Sequence, residues 1–354
     1  MGTLLPFVGM VIVILAQVSS TVVTKAAMSR GVNKYVIIVY SNILATLVLL
    51  PCSLVFHRST RLPLNSSILW RFFLLALVGC VSQICGYAGI DYSSPTLSTA
   101  MLNLIPAFTF ILTVTFRMEK LDWRSRSSQA KTLGTLISIA GAFVVTFYKG
   151  PTVIGTQSIT IPAHLHVFSP QFKWVLGALL LATEALMMSA WYILQTMILK
   201  KFPAILTVTF YLSFFTTIIS AVYSLILVED TSAWKPRLDI GLIAVLYSAL
   251  VATVLRCTLC AWCISKAGPL YVSMFKPFGI IFAVVMGVLF LGDALCVGSM
   301  VGAIIIVTGF YAVMWGKANE EEKSREESGL GTSTLSSEKV PLLQNRIEEN
   351  NSSV

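Results

Sequence analysis

Three charged residues stand inside long apolar runs of this 354-residue chain: Glu184, Arg256 and Lys276. A charge placed in hydrocarbon is costly, so it is kept where it pairs, where it snorkels to an interface or where it handles a solute. Two arrangements fit these residue types. Glu184 can neutralise Arg256 or Lys276 as a structural ion pair. Alternatively, Glu184 can receive an amino group while Arg256 receives a carboxylate, which is the recognition chemistry of a small zwitterion. Uncharged polar side chains form a second set. Gln83 and Tyr87 are four residues apart, on one helix face. Asn103 precedes Pro106 by three residues, and Tyr40 and Tyr211 sit in other apolar runs. Such groups either tie helices together by hydrogen bonds or supply the few polar handles of an otherwise apolar pocket. Pro106 and Pro277 each remove a backbone donor inside a run and so free a carbonyl, giving a static kink or a gating hinge.

Other chemistry is not supported. The chain has no P-loop, no H-E-x-x-H and no G-x-S-x-G, so ATP-driven pumping and hydrolysis lack their machinery and no enzyme or cofactor is expected. Paired catalytic residues of an intramembrane protease are likewise missing. Cys257, Cys260 and Cys263 read C-x-x-C-x-x-C, part of an iron–sulfur spacing. They have no evident fourth ligand and sit in an apolar run, so they are read as packing residues and no metal is assigned.

The elements that must position these residues follow from hydropathy. Of the residues 56% are hydrophobic and 12% charged, with a mean hydropathy of +0.82. Ten apolar runs recur, each about long enough to cross a ~30 Å hydrocarbon layer as a helix. They are 4–24, 35–56, 69–90, 95–116, 132–148, 173–199, 204–228, 240–264, 270–291 and 297–316. The first lacks the cleavage signature of a removable leader. With a cytosolic N-terminus, the inside loops carry twelve Lys and Arg and the outside loops seven, which predicts both termini in the cytosol. The same rule accounts for the net charge of +9; no folded basic surface for nucleic acid is present. The sequons at Asn65, Asn350 and Asn351 then face the cytosol and stay unmodified.

The two halves echo each other. Pro95 precedes Glu119 by 24 residues, and Pro269 precedes Asp293 by 24. Gly134 and Gly141 are matched by Gly302 and Gly309, and Lys149 by Lys317, each at an offset of 168. Five spans per half is an odd number, so the halves enter the membrane from opposite sides. That is an inverted repeat, with a site expected near the midplane between the halves. The predicted divisions are 4–149, a linker at 150–172, 173–317, and a disordered cytosolic tail at 318–354.

The stretches QICGYAGIDYSSPTLSTAMLNLIPAFTFILTVTFRMEKL (83–121), SAWYILQ (189–195), SAW (232–234) and the run from Lys266 to Lys317 resemble the plant EamA-like members of the drug/metabolite transporter superfamily. The nodulin-type or UMAMIT group, related to Walls-Are-Thin, is the nearest likeness, over about 5–317. The resemblance implies an all-α integral membrane protein of ten transmembrane helices in two inverted five-helix EamA-type repeats. Spans 1–4 and 6–9 would line a central cavity, with 5 and 10 peripheral. It also implies transport of amino acids, often outward, or of auxin. The family pattern has uncharged residues where Glu184, Arg256 and Lys276 stand, so the chain departs from it there.

The expected function is therefore secondary, non-ATP transport of small polar metabolites, amino acids foremost, by alternating access. Auxin or a related organic anion is the alternative solute. A non-transporting membrane receptor or scaffold is the alternative from another class. Its partners are the solute and the bilayer, plus sorting adaptors that would read the dileucine motif Glu338, Leu342 and Leu343. The expected address is the plasma membrane or the vacuolar membrane.

Overall fold

The computed structural model describes residues 4–28, 30–60, 65–93, 95–118, 125–148, 151–154, 170–228, 234, 240–286 and 295–337. Three long helices come first: α1 (Leu4–Met28), α2 (Lys34–Thr60) and α3 (Ser66–Tyr92). Then follow α4 (Pro95–Leu102), α5 (Ile105–Thr115), α6 (Arg126–Phe147), strand β1 (Thr152–Ile154), α7 (Pro170–Lys201) and α8 (Ile205–Leu227). α9 (Ile240–Tyr247) passes through a π-helical segment (Ser248–Leu255) into α10 (Arg256–Ala267). α11 (Pro269–Met286), strand β2 (Leu295–Cys296) and α12 (Val297–Ser337) complete the order.

Among the described residues, eight helical stretches are long and apolar enough to cross a bilayer, and Ile105–Thr115 and Pro269–Phe282 are shorter apolar helices. The outer surface is greasy in the same way as the sequence. Leu133 and Leu136 are 60% and 59% exposed on α6, and Ile304 on α12 is 66% exposed. Water does not tolerate a continuous apolar belt of this kind, whereas lipid does.

Backbone-to-backbone approach fixes the pairing of α6 with α12. A Cβ on Gly309 would lie 2.5 Å from Ser138 N and 2.6 Å from Gly134 O, and a Cβ on Gly141 would lie 2.8 Å from Ile306 N and 3.0 Å from Gly302 O. The matching glycines thus meet crosswise, which makes the two helices antiparallel. Close approach through small residues is how helices associate in lipid, where no hydrophobic drive separates one apolar surface from another. Ser138 Oγ adds a hydrogen bond to Ile306 O at 3.1 Å. Beyond the helix ends, β1 pairs antiparallel with β2, and Val297 N donates to Pro151 O at 3.0 Å. Elsewhere α3 lies along α7, α2 along α8, and α1 against α10 and α11. Phe275, Phe278 and Phe310 cluster where α11 meets α12, with ring centroids 4.8–6.3 Å apart.

The structure departs from the sequence expectation in three of the spans. The fourth expected span, 95–116, is two helices, because the chain turns at Asn103 and Leu104. Pro106 lies in the first turn of α5, where its missing N–H costs nothing, so it marks a break rather than a kink within one helix. Pro277 does lie inside α11, as expected. The eighth span is interrupted by the π segment. The last span does not stop at Gly316: α12 continues to Ser337, so the tail expected to be disordered from residue 318 begins as helix. The stretch after Lys317 is rich in Glu, Lys and Arg, all good helix formers. The landmarks Glu119, Lys149 and Asp293, and most of the 150–172 linker, lie outside the described residues.

Candidate functional site

α3 and α7 run antiparallel through a second set of glycines. A Cβ on Gly89 would meet Leu181, one on Gly79 would lie 3.3 Å from Trp191 Nε1, and one on Gly86 would collide with the Glu184 carboxyl, 2.5 Å from Cδ and 2.7 Å from Oε2. Gly86 is therefore the notch that admits the Glu184 side chain between the helices. The Oε2 atom is buried without a hydrogen-bond partner among the described residues. Ser82 Oγ donates to the Glu184 main-chain carbonyl at 3.2 Å and helps hold this register.

Five residues further along α7, Ser189 Oγ donates to Ile105 O at 3.1 Å, beside the break between α4 and α5. Asn103, 2% exposed, sits in that break, and its Nδ2 finds no partner among the described residues. At the same point α4 ends at Leu102, and Pro106 opens α5 without an N–H to offer back. A buried amide and an interrupted helix within reach of α7 are what a polar solute in an apolar bundle requires.

Arg256 begins α10 directly after the π segment. Its Nε donates to Ala252 O at 2.7 Å, inside that segment, which uses a backbone carbonyl to anchor the guanidinium. π-helical turns recur at functional positions because they rotate the side chains that follow. Lys276, on α11 just before Pro277, is within electrostatic reach of both Arg256 and Glu184. No direct ion pair joins these three. Among the described residues the ion pair is Lys131 with Glu320, at 2.7 Å between α6 and α12. Lys131, expected as a loop charge, is buried because α6 starts at Arg126 rather than at residue 132.

The remaining sequence candidates divide. Gln83 and Tyr87 are joined, Gln83 Nε2 donating to the Tyr87 hydroxyl at 3.3 Å. Tyr40 is engaged by the α8–α9 connection: its hydroxyl donates to Trp234 O at 2.6 Å and its ring meets that indole edge to face. Tyr211 stacks on Phe72, with centroids 5.4 Å apart and planes at 13°. Both are therefore packed against protein. Cys260 and Cys263 are buried free thiols, and Cys263 fits against Gly9. No cluster among the described residues is arranged to hold a metal ion. The dileucine motif at Glu338, Leu342 and Leu343 lies outside the described residues.

A cleft of about 570 Å³ opens at the C-terminal end of α7, lined by Thr196, Lys200, Ser265, Lys266 and Lys317 among others. It does not include Glu184, Asn103, Arg256 or Lys276. Lys317 Nζ donates to Ala267 O at the end of α10 and lies 5.4 Å from the Tyr271 ring centroid. The opposite end of the bundle is closed by Tyr35, Tyr87 and Tyr223, which sequence reasoning singled out only in part. Tyr35 and Tyr223 look ordinary in sequence because each lies near the end of an apolar run, where tyrosine is common.

Long apolar helices around charged and broken elements define a polytopic membrane protein. A model of the EamA-like transporter family matches residues 5–147 and 175–315. One WAT1-related protein of Arabidopsis thaliana is 43% identical over 350 residues, covering 97% of this chain and 93% of its own length. A second is 43% identical over 351 residues, covering 96% and 95%. A solved crystal structure superposes with a TM-score of 0.65 at 15% identity, over 90% of this chain and 98% of that one, a likeness of fold alone. The chain belongs to the EamA-like transporter family, and it is a multi-pass membrane transporter, in a family of transporters rather than enzymes.

Proposed function

We propose that this chain is a secondary transporter of small zwitterionic metabolites, amino acids foremost, working by alternating access. One observation carries the reading: an acid, Glu184, and two bases, Arg256 and Lys276, share the interior without forming an ion pair. A buried carboxylate left without its counter-ion is expensive, unless the missing partner arrives from outside. An α-amino acid supplies an ammonium for Glu184 and a carboxylate for the two cations. Asn103 Nδ2 adds a neutral donor beside α7.

The ten spans are then the eight long helices together with the α4–α5 pair and α11. The crosswise glycines of α6 and α12 support an inverted pair of units at 4–149 and 173–317. The cluster of Lys200, Lys266 and Lys317 at the cleft supports a cytosolic mouth, with both termini on that side. The plasma membrane and the vacuolar membrane both suit this arrangement, and the dileucine motif suits sorting adaptors. A second reading, an organic anion such as auxin, draws on the excess of two cations over one acid in the interior.

Flux of a radiolabelled amino-acid panel and of auxin, in oocytes or vesicles, separates the two. Glu184→Gln keeps shape and hydrogen-bonding capacity but removes the charge. The expected result is amino-acid flux at least about ten-fold lower, from losing a charge-assisted contact of ~1.5 kcal/mol or more, with surface expression kept. Unchanged amino-acid flux would sink the zwitterion reading; unchanged or increased auxin flux beside it would favour the anion.

A further inference from the structure

At the end of the bundle away from the cleft, three helices contribute to one aromatic group. Lys34 and Tyr35 open α2, Gln83 and Tyr87 lie one turn apart on α3, and Tyr223 projects from α8. Tyr35 meets Tyr87 edge to face with centroids 6.2 Å apart at 89°, and meets Tyr223 likewise at 6.2 Å and 79°. Gln83 fixes the two outer rings by their hydroxyls: Tyr223 donates to Gln83 Oε1 at 3.4 Å, and Gln83 Nε2 donates to Tyr87 at 3.3 Å. Into this arrangement the chain places an ammonium of its own. Lys34 Nζ lies 4.6 Å from the Tyr87 centroid and 5.1 Å from the Tyr35 centroid. Among the described residues Lys34 forms no ion pair, so the rings are what hold its charge.

We propose that this box is a cation subsite which receives the ammonium group of the solute, and that Lys34 is its built-in occupant. The face of a phenol ring is electronegative and attracts a cation within about 6 Å, most strongly where water is scarce. All three tyrosines are half-buried, which meets both conditions. Lys34 is suited to leave. It is the first residue of α2, on a flexible four-carbon stem, and the preceding connection turns at Gly31 with φ of +87°. The Glu184 carboxyl is seated against Gly86, the residue that precedes Tyr87 on α3. A solute ammonium that displaces Lys34 can then pass from rings to carboxylate. The identity of the cation as part of the solute rests on the transport reading; the existence of the box does not.

The probe is tetramethylammonium, which carries the charge but donates no hydrogen bond, titrated by intrinsic fluorescence against the full-length chain in lipid nanodiscs. Lys34→Met keeps the stem and removes the ammonium, so it should bind tetramethylammonium about ten-fold more tightly than the wild type. Adding Tyr87→Leu should abolish the gain, and Lys34→Gln should reproduce it if the methionine variant does not accumulate. Equal affinity in the wild type and both Lys34 variants, or a gain that survives Tyr87→Leu, overturns the proposal. The titration needs no transport and the flux assay needs no tetramethylammonium, so the two readings fail separately: a box that binds in a chain moving no amino acid keeps the box alone, and amino-acid flux without the Lys34 effect keeps transport alone.

Discussion

The α6–α12 pair and the α3–α7 pair are both antiparallel and both meet through glycines, yet they fill the freed space differently. In the first, Gly134 faces Gly309 and Gly141 faces Gly302, so backbone approaches backbone, with only the methyls of Val145, Ile305 and Val313 and the Ser138 hydroxyl beside it. In the second, the notches at Gly79 and Gly86 receive side chains, Trp191 and Glu184, while Gly89 meets both Leu181 and the Gly177 backbone, 3.2 Å from its carbonyl. The lesson concerns what a glycine in a membrane helix is for. Where the opposing atom is backbone, the glycine sets the distance between two rigid rods. Where it is the end of a long side chain, the glycine makes a seat, and a seat can hold a carboxylate that lipid would reject.

Breaking the first seam should produce the largest effect. Gly309→Val sets a branched side chain against Ser138 N and Gly134 O, neither of which can move without its helix. Overpacking of this kind costs about 3 kcal/mol, so the variant is expected to fall sharply in Tm and in yield. Melting of the purified chain in detergent checks it. A Gly309→Val variant that melts like the wild type would mean that α6 and α12 are not held at backbone distance.

Sharpening the comparison calls for the same insult at the second seam. Gly86→Ala adds one methyl, and the atoms it meets belong to the Glu184 carboxyl, the movable end of a flexible side chain. Stability should change by less than about 1 kcal/mol, since alanine also favours the helix. Flux of the preferred amino acid should nevertheless fall about ten-fold, because the carboxyl is pushed off its seat. Shortening the acid in the double variant Gly86→Ala with Glu184→Asp should restore part of it. Loss of stability with no loss of flux at Gly86 would erase the distinction between the two seams.

Much of this was legible in the sequence because it depends on patterns within a single helix. The long spans announce themselves by apolar run length, and the seven-residue glycine pairs mark the faces on which α6 and α12 later meet. Glu184 was visible as a charge where none belongs, and Pro106 marked the fourth span for a kink where the structure has a break. What stayed hidden depends on partners. Nothing in Ser248–Leu255 marks a π segment, since it contains neither Pro nor Gly and its side chains suit an α-helix equally well. Tyr35, Tyr87 and Tyr223 become a group only when α2, α3 and α8 converge, and no spacing along one helix encodes that. Tyr40 and Tyr211 resembled site residues by their placement in the two halves, but Trp234 and Phe72 engage them. Lys131 was hidden by a boundary: a helix starting one and a half turns early turns a loop charge into a buried one.

That last residue carries the smallest expected effect, and it tests how far the rigid seam extends. Lys131 Nζ donates to Glu320 Oε2 at 2.7 Å, with Lys131 2% and Glu320 39% exposed at the side chain. Since α12 continues past Gly316 to Ser337, this ion pair fastens the helical extension to α6 and prolongs the glycine seam by a turn. Breaking a fully buried pair strands a charge at a cost of several kcal/mol, but an exposed partner lets water reach the pair and screen it. Glu320→Gln should therefore destabilise the chain by about 1 kcal/mol, seen as a small drop in Tm, and leave flux unchanged because no solute residue is near. Raising the salt should shrink the difference between Glu320→Gln and the wild type, as it does for partly exposed pairs. A change in flux at constant Tm would instead tie the extension to the solute path, and the contrast between a fixed scaffold at α6–α12 and a working seat at α3–α7 would have to be redrawn.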